Sequence, residues 1–149
     1  MSLKIIGIIM IILFSLSLGV MVAGFKRKQI KYIDTLIYIG EKILFMLSST
    51  SPETEEIMRE LEKDERLKKF DFTLKNENSP LSPEENDKSR LLFNTVGKYD
   101  LDCQISYINQ YLGHFKMLRQ QYQEHYNSHY KLYLVFGLFV GIFIAVVLI

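Results

Sequence analysis

Residues 4–25 read KIIGIIMIILFSLSLGVMVAGF and residues 132–149 read LYLVFGLFVGIFIAVVLI. Neither run contains an acidic residue, and the only basic one is Lys4 at the edge. A run of roughly 18 or more apolar residues is long enough to cross a bilayer as a helix. The sequence therefore predicts a transmembrane helix at 4–25, a second at 132–149, and a charged segment, 26–131, on one side of the membrane. A charged domain held at both ends suits a scaffold or platform better than a freely diffusing enzyme.

Working outward from the two runs, the flanking basic residues give an orientation. Lys26, Arg27, Lys28 and Lys31 follow the first run and Lys131 abuts the second, whereas only Lys4 lies on the other side. Excess Lys and Arg beside a span keeps that side in the cytoplasm. The expected topology has 26–131 cytoplasmic, with Met1 and Ile149 near the outer face. A cleaved signal peptide is the rival reading of the first run. Its core of about 20 residues exceeds the usual 7–15, and the Lys26-Arg27-Lys28 cluster opposes translocation.

Between the runs, acids and bases nearly balance, with a whole-chain net charge of +1. Nucleic-acid binding needs a basic stripe and is not expected. One cysteine, Cys103, excludes an intramolecular disulfide and a cysteine-only zinc site. The length allows one small domain in the middle.

Helical periodicity dominates that middle. Ile30, Ile33, Ile37, Leu44 and Leu47 follow three-four spacing, with Gly40 in the missing slot, and no Pro interrupts Met1 to Leu47. The first helix should project roughly 30 Å beyond the membrane. Ser51 is the expected N-cap of a second helix, with Pro52 at its first position and Glu53, Glu55 and Glu56 in its first turn. Its apolar stripe reads Ile57, Met58, Leu61 and Leu67. Residues from Phe70 to Asn78 carry no clear pattern, and Pro80 and Pro83 break a polar loop over Asn76 to Asp87. Ser82-Pro83-Glu84-Glu85 repeats the helix-start signal. A short helix carrying Leu91, Leu92 and Val96 should stop at Gly97. Asp100 then caps one continuous helix of about 50 residues, spaced by Leu101, Ile105, Ile108, Leu112, Phe115, Tyr122, Tyr126 and Tyr133. The expected fold is all-α, a membrane-anchored antiparallel helical bundle.

Residues able to do chemistry are sparse. His125 and His129 have the i, i+4 spacing of a zinc metalloprotease helix, but Tyr126 stands where the catalytic Glu should be, and a third ligand is missing. Their setting among Tyr122, Tyr126, Tyr130 and Tyr133 suits anchors at a membrane interface. Cys103 lies in the first turn of a helix, which can activate a thiol, yet no His and Asn arrangement surrounds it, so a small packed side chain is expected. Glu55-Glu56 and Glu84-Glu85 read as dipole complements rather than a general acid and base. No phosphate-cradling Gly loop occurs. The chain is expected to have no enzymatic activity, no cofactor, no metal and no small-molecule substrate.

Interaction surfaces carry more signal. Gly137 and Gly141 form a G-x-x-x-G pair in the second run, and Ser15 and Gly19 a small-x-x-x-small pair in the first. Such pairs let helix backbones approach closely in lipid. Glu56 and Glu60 lie in the acidic stretch Glu53 to Glu65, which could dock a basic partner; a solvated helix face is the plainer explanation.

Gly97-Lys98-Tyr99-Asp100 followed by Gln104 resembles the "G-x-x-D-x-x-x-Q" signature of the stage III sporulation protein AB family. Gly137-Leu138-Phe139-Val140-Gly141 with its apolar tail resembles the family's C-terminus. Lys4-Ile5-Ile6-Gly7, Gly19 and Lys26-Arg27-Lys28 are similar to its start, and Thr50-Ser51-Pro52 to its "T-P-L" turn. From Phe70 to Arg90 the chain is shorter and more polar than the family and lacks its Trp.

The resemblance implies a component of the channel linking mother cell and forespore during endospore formation. It implies a likeness to the cytoplasmic domain of the type II secretion and type IV pilus platform protein. It also implies residence in the mother-cell membrane and coupling of a cytosolic secretion-type ATPase to other membrane proteins of the channel. Two further readings stay open: a two-span scaffold or sensor with another use, and a metal-dependent membrane hydrolase built on His125 and His129.

Overall fold

The computed structural model describes residues 2–49, 53–70, 72 and 79–147. It is all-helical: α1 (Ser2–Ser49), α2 (Thr54–Glu62), a 3-10 turn (Glu65–Leu67), α3 (Pro83–Thr95) and α4 (Leu101–Val147), with no strand among the described residues. The long first and last helices match the sequence expectation, and α4 runs unbroken for 47 residues. The chain divides into two compact units, one made of residues 29–120 and the other of residues 1–28 with 121–149.

In the 29–120 unit, α1 and α4 run antiparallel, as the ion pairs Asp34–Arg119 (3.0 Å) and Glu41–Lys116 (2.7 Å) require. Both pairs are about half exposed, so each is worth under about 1 kcal/mol and serves register more than stability. The core is mostly aliphatic. Ile33, Leu36, Ile39 and Ile43 of α1, Leu61 of α2, and Ile108 and Phe115 of α4 are all 0% exposed. Burying each such side chain contributes about 1.5–3 kcal/mol. Gly40 lets α1 and α4 approach closely, because a Cβ there would lie 2.9 Å from Leu112 Cδ2 and 3.2 Å from the Tyr111 ring.

The stripe on α1 differs from the expected one. Ile30, Ile33 and Leu47 are buried as anticipated, but Ile37 and Leu44 are only half-buried, and Leu36, Ile39 and Ile43 take the inner places. On α3, Leu92 and Val96 are buried while Leu91 is 60% exposed. On α4, Leu101 is exposed and Ile105, Tyr122 and Tyr126 are half-buried, with Tyr111 and Leu118 buried instead. Ser51 and Pro52 fall outside the described residues; α2 begins at Thr54 with Glu53 as its N-cap, and no side-chain hydrogen bond closes that cap. Ser82 does cap α3, in a reciprocal box: Ser82 Oγ accepts from Glu85 N–H, and Glu85 Oε2 accepts from Ser82 N–H.

Phe70 and Phe72, from the stretch without a pattern, join Tyr32 and Phe93 in a row of rings with centroids 5.2–6.1 Å apart. Such contacts add about 0.5–1.5 kcal/mol each beyond burial. Residues 71 and 73–78 lie outside the described residues.

The unit formed by residues 1–28 and 121–149 has the opposite polarity. Among its described residues the buried ones are small: Ser15, Gly19, Ala23 and Gly141. Large apolar residues are exposed, including Met21 (74%), Phe136 (71%) and Phe143 (71%). Among the described residues no helix is long and apolar enough to cross a membrane. The side chains of Lys4, Ile5, Ile6, Ile8, Ile11, Ile12 and Leu16 in the first apolar run, and of Tyr133, Leu134, Gly137 and residues 145–149 in the second, are outside the described set.

Candidate functional site

The resemblance motif folds into a clasp between α3 and α4. After Thr95 the chain turns at Gly97, whose φ of +81° is the left-handed conformation that ends helices. A Cβ at Gly97 would overlap the Thr54 side chain at the start of α2, so space as well as backbone conformation demands glycine. Three residues on, Asp100 caps α4. Its carboxylate accepts from Cys103 N–H (3.4 Å) and its carbonyl from Gln104 N–H (2.9 Å). The Gln104 carboxamide closes the turn from both sides: Oε1 accepts from Gly97 N–H at 3.0 Å, and Nε2 donates to the Tyr99 carbonyl at 2.6 Å. Gly97, Asp100 and Gln104 are thus brought together: glycine makes the turn, and the Asp100 and Gln104 side chains satisfy backbone groups it would otherwise strand. Thr54 completes the clasp from 43 positions upstream, and no local sequence signal points to it.

Cys103 is exposed rather than packed, contrary to expectation. The neighbouring Asp100 carboxylate accepts a hydrogen bond from it and repels the thiolate, pushing the thiol above its usual range. A protonated thiol is a poor nucleophile, so the helix-terminus effect does not activate this cysteine. The same hydrogen bond holds Asp100 below the ordinary carboxylate range.

A second polar node, also unmarked in the sequence, ties α1 to the segment after α2. Asp64 Oδ2 accepts from Tyr38 Oη and from Lys42 Nζ, both at 2.7 Å, and Oδ1 accepts from Arg66 N–H at 2.9 Å, capping the 3-10 turn. Lys42 also donates to the Glu60 carbonyl (3.1 Å), and the Arg66 guanidinium lies over the Tyr38 ring. Lys42 and Tyr38 hold the Asp64 carboxyl well below its usual range, and Asp64 in turn raises the Tyr38 phenol.

A charged face of α2 is open. Glu56, Arg59, Glu60 and Lys63 are exposed at three- and four-residue steps, and Glu60 pairs with Lys63 at 2.8 Å. Beside α3, an apolar groove of about 270 Å³ runs between Leu91, Thr95, Tyr107, Ile108 and Tyr111, with Lys88 and His114 at its edge. The hydroxyl of Tyr111 and Nε2 of His114 are buried without a hydrogen-bond partner. Burial pushes the Tyr111 phenol up and the His114 imidazole down, so both are neutral near pH 7.

His125 and His129 stack with ring centroids 4.2 Å apart, and His129 Nδ1 lies 3.0 Å from its own helix's His125 carbonyl. Among the described residues no group of three or more His, Cys, Asp or Glu is arranged to hold a metal. Of the small-residue pairs, Ser15, Gly19 and Gly141 are buried, and the surroundings of Gly137 lie outside the described residues.

The sequence matches a family model described as stage III sporulation protein AB over residues 54–149. That span contains α2, α3, α4 and the whole clasp; the similar residues at Lys4–Gly7 and Lys26–Lys28 precede it. No curated protein and no solved structure matches the chain. With well over half of its length matched, and with the motif glycine, aspartate and glutamine meeting in one turn, this chain belongs to the stage III sporulation protein AB family.

Proposed function

We propose that this chain is a non-enzymatic platform of the mother cell–forespore channel. In this reading it spans the mother-cell membrane twice, holds its 29–120 bundle in the cytoplasm, and couples a secretion-type ATPase to membrane proteins of the channel. Family membership supports the sporulation role. The observation that carries the membrane part is the reversal of polarity between the two units. Phe14, Met21, Phe136, Phe139 and Phe143 are each at least 66% exposed, whereas Ser15, Ala23 and Gly141 are turned inward. Large contiguous apolar surface is unfavourable in water and favourable in lipid, where small residues form the helix contacts.

In the cytoplasmic bundle, the open α2 face is the surface offered to the ATPase. Glu56 and Glu60 project from a helix that the Thr54–Gly97 clasp and the Asp64 node fasten at its two ends. A fastened helix presents its charges in fixed positions and loses little entropy on docking.

Photoreactive residues at Glu56, Glu60 and Arg90 in sporulating cells test this directly. Capture of a secretion-type ATPase from Glu56 or Glu60 is expected; active crosslinkers that capture only unrelated proteins would overturn the coupling. Sidedness is tested separately with Cys103, the chain's single thiol, which is exposed. An impermeant maleimide should reach it only after the membrane is opened, and labelling in intact cells would refute the cytoplasmic placement.

A further inference from the structure

We infer that the unit formed by residues 1–28 and 121–149 holds one anionic phospholipid in the groove between its two helices. On α1, Leu18, Gly19, Val22 and Lys26 share a face by three- and four-residue steps; on α4, Tyr122 and His125 are three apart, Leu132 follows two turns on, and Phe136 and Val140 continue at four-residue steps. Two cavities lie between these faces. One, of about 490 Å³ and apolar but for Ser15, is lined by Ser15, Leu18, Gly19, Val22, Leu132, Phe136 and Val140. The other, of about 200 Å³, is lined by Lys26, Gln121, Tyr122 and His125. Val22 walls the first and Lys26 the second, one helical turn or about 6 Å apart, so the polar pocket takes up where the apolar one ends.

The charge of the polar pocket selects its occupant. Lys26 forms no ion pair among the described residues; its Nζ lies over the face of Tyr122, 5.9 Å from the ring centroid. A cation beside a carboxamide and an imidazole suits a phosphate group, which brings the missing negative charge. An apolar helix could fill the lower cavity but would leave Lys26 without a counter-charge, and a free phosphate would leave the apolar walls bare. A single amphiphile with an anionic headgroup and alkyl chains satisfies both ends. Arg27 and Lys28 follow in sequence but do not line the pocket, so the site is more than a basic cluster beside a span.

This inference rests on the two-span reading, so the experiment keeps the two apart. The full chain is first floated with vesicles of phosphatidylcholine alone after an alkaline wash. Failure to float overturns the two-span reading and this inference with it. The chain is then reconstituted in nanodiscs of equimolar phosphatidylcholine and phosphatidylglycerol, and lipids retained on release are counted by native mass spectrometry. Phosphatidylglycerol should be retained about five-fold over phosphatidylcholine, the preference one lysine near a membrane surface supplies. Lys26→Gln should abolish that preference, Arg27→Gln should preserve it, and Leu132→Trp, which fills the apolar cavity, should lower retention of both lipids. A chain that floats but retains both lipids equally overturns the inference. So does an Arg27→Gln variant that loses as much preference as Lys26→Gln, or displacement of the lipid by glycerol phosphate, which would make the ligand a soluble phosphate.

Discussion

The two units are built by opposite rules from the same two helices. In 29–120, α1 and α4 hide isoleucine, leucine and phenylalanine and show glutamate and lysine. Among the described residues of 1–28 and 121–149, the same helices hide serine, glycine and alanine and show phenylalanine and methionine. A helix has no intrinsic inside. Which face is turned inward depends on what surrounds the unit, and in the proposed two-span reading the reversal corresponds to a change of environment along each helix.

The largest expected effect separates two phenylalanines. Phe115→Ala removes a side chain that is 0% exposed and should cost about 3–5 kcal/mol, whereas Phe136→Ala, at a position 71% exposed, should cost less than about 1 kcal/mol. Thermal unfolding of the full chain in micelles reads both, and equal losses would break the comparison. Slightly smaller is the effect of a charge on the outward apolar face. Phe139→Asp should disfavour membrane insertion by about 2.5–3.5 kcal/mol, measured as loss of the chain from the alkali-resistant membrane fraction. If Phe139→Asp inserts as well as the parent chain, that face does not meet lipid.

The clasp allows a finer cut. Gly97→Ala should destabilise the bundle by about 1–2 kcal/mol for the left-handed backbone alone, with overlap against Thr54 adding to it. In a Thr54→Ala background the overlap part should disappear and the backbone part remain. Asp64 gives a pH signature. Its folded-state pKa is depressed, so its contribution is complete above the unfolded value near 4 and is lost as pH falls below it. Melting temperatures of the parent chain and Asp64→Asn should therefore differ at neutral pH and converge in acid; a constant gap would show that the node is not electrostatic. Smallest of all, Glu56→Gln with Glu60→Gln should change stability by less than about 0.5 kcal/mol while weakening ATPase capture.

Much of this was legible in the sequence, and the misses have a common cause. Local signals held: Ser82 and Glu85 box the start of α3, Gly97 ends it, and Asp100 opens α4. Each involves groups within four residues of one another, which is the range a linear pattern can see. The α1 stripe failed at Ile37 and Leu44 because Ile and Leu crowd positions 30 to 47 so densely that two adjacent rows both satisfy three-four spacing. Only the position of α4, fixed through Gly40 against Tyr111 and Leu112, chooses between them. For the same reason Leu91 and Leu92 could not be told apart. In the candidate site, the motif residues could be named but not their work, because Thr54 and the Asp64 partners arrive from other elements. The pocket at Lys26 was equally hidden, since His125 and Tyr122 reach it from nearly a hundred positions away.

The pairing of Asp34 with Arg119 spans 85 positions. During synthesis, the α1 row that will face α4 therefore has no α4 to meet until most of the chain has left the ribosome. The α3–clasp–α4 hairpin has no such delay, because its closing contact, Gln104 with Gly97, spans 7 positions. Contacts between near neighbours form fast and distant ones wait on chain closure. The hairpin is thus the part of the bundle suited to assemble first and to offer α1 a ready surface.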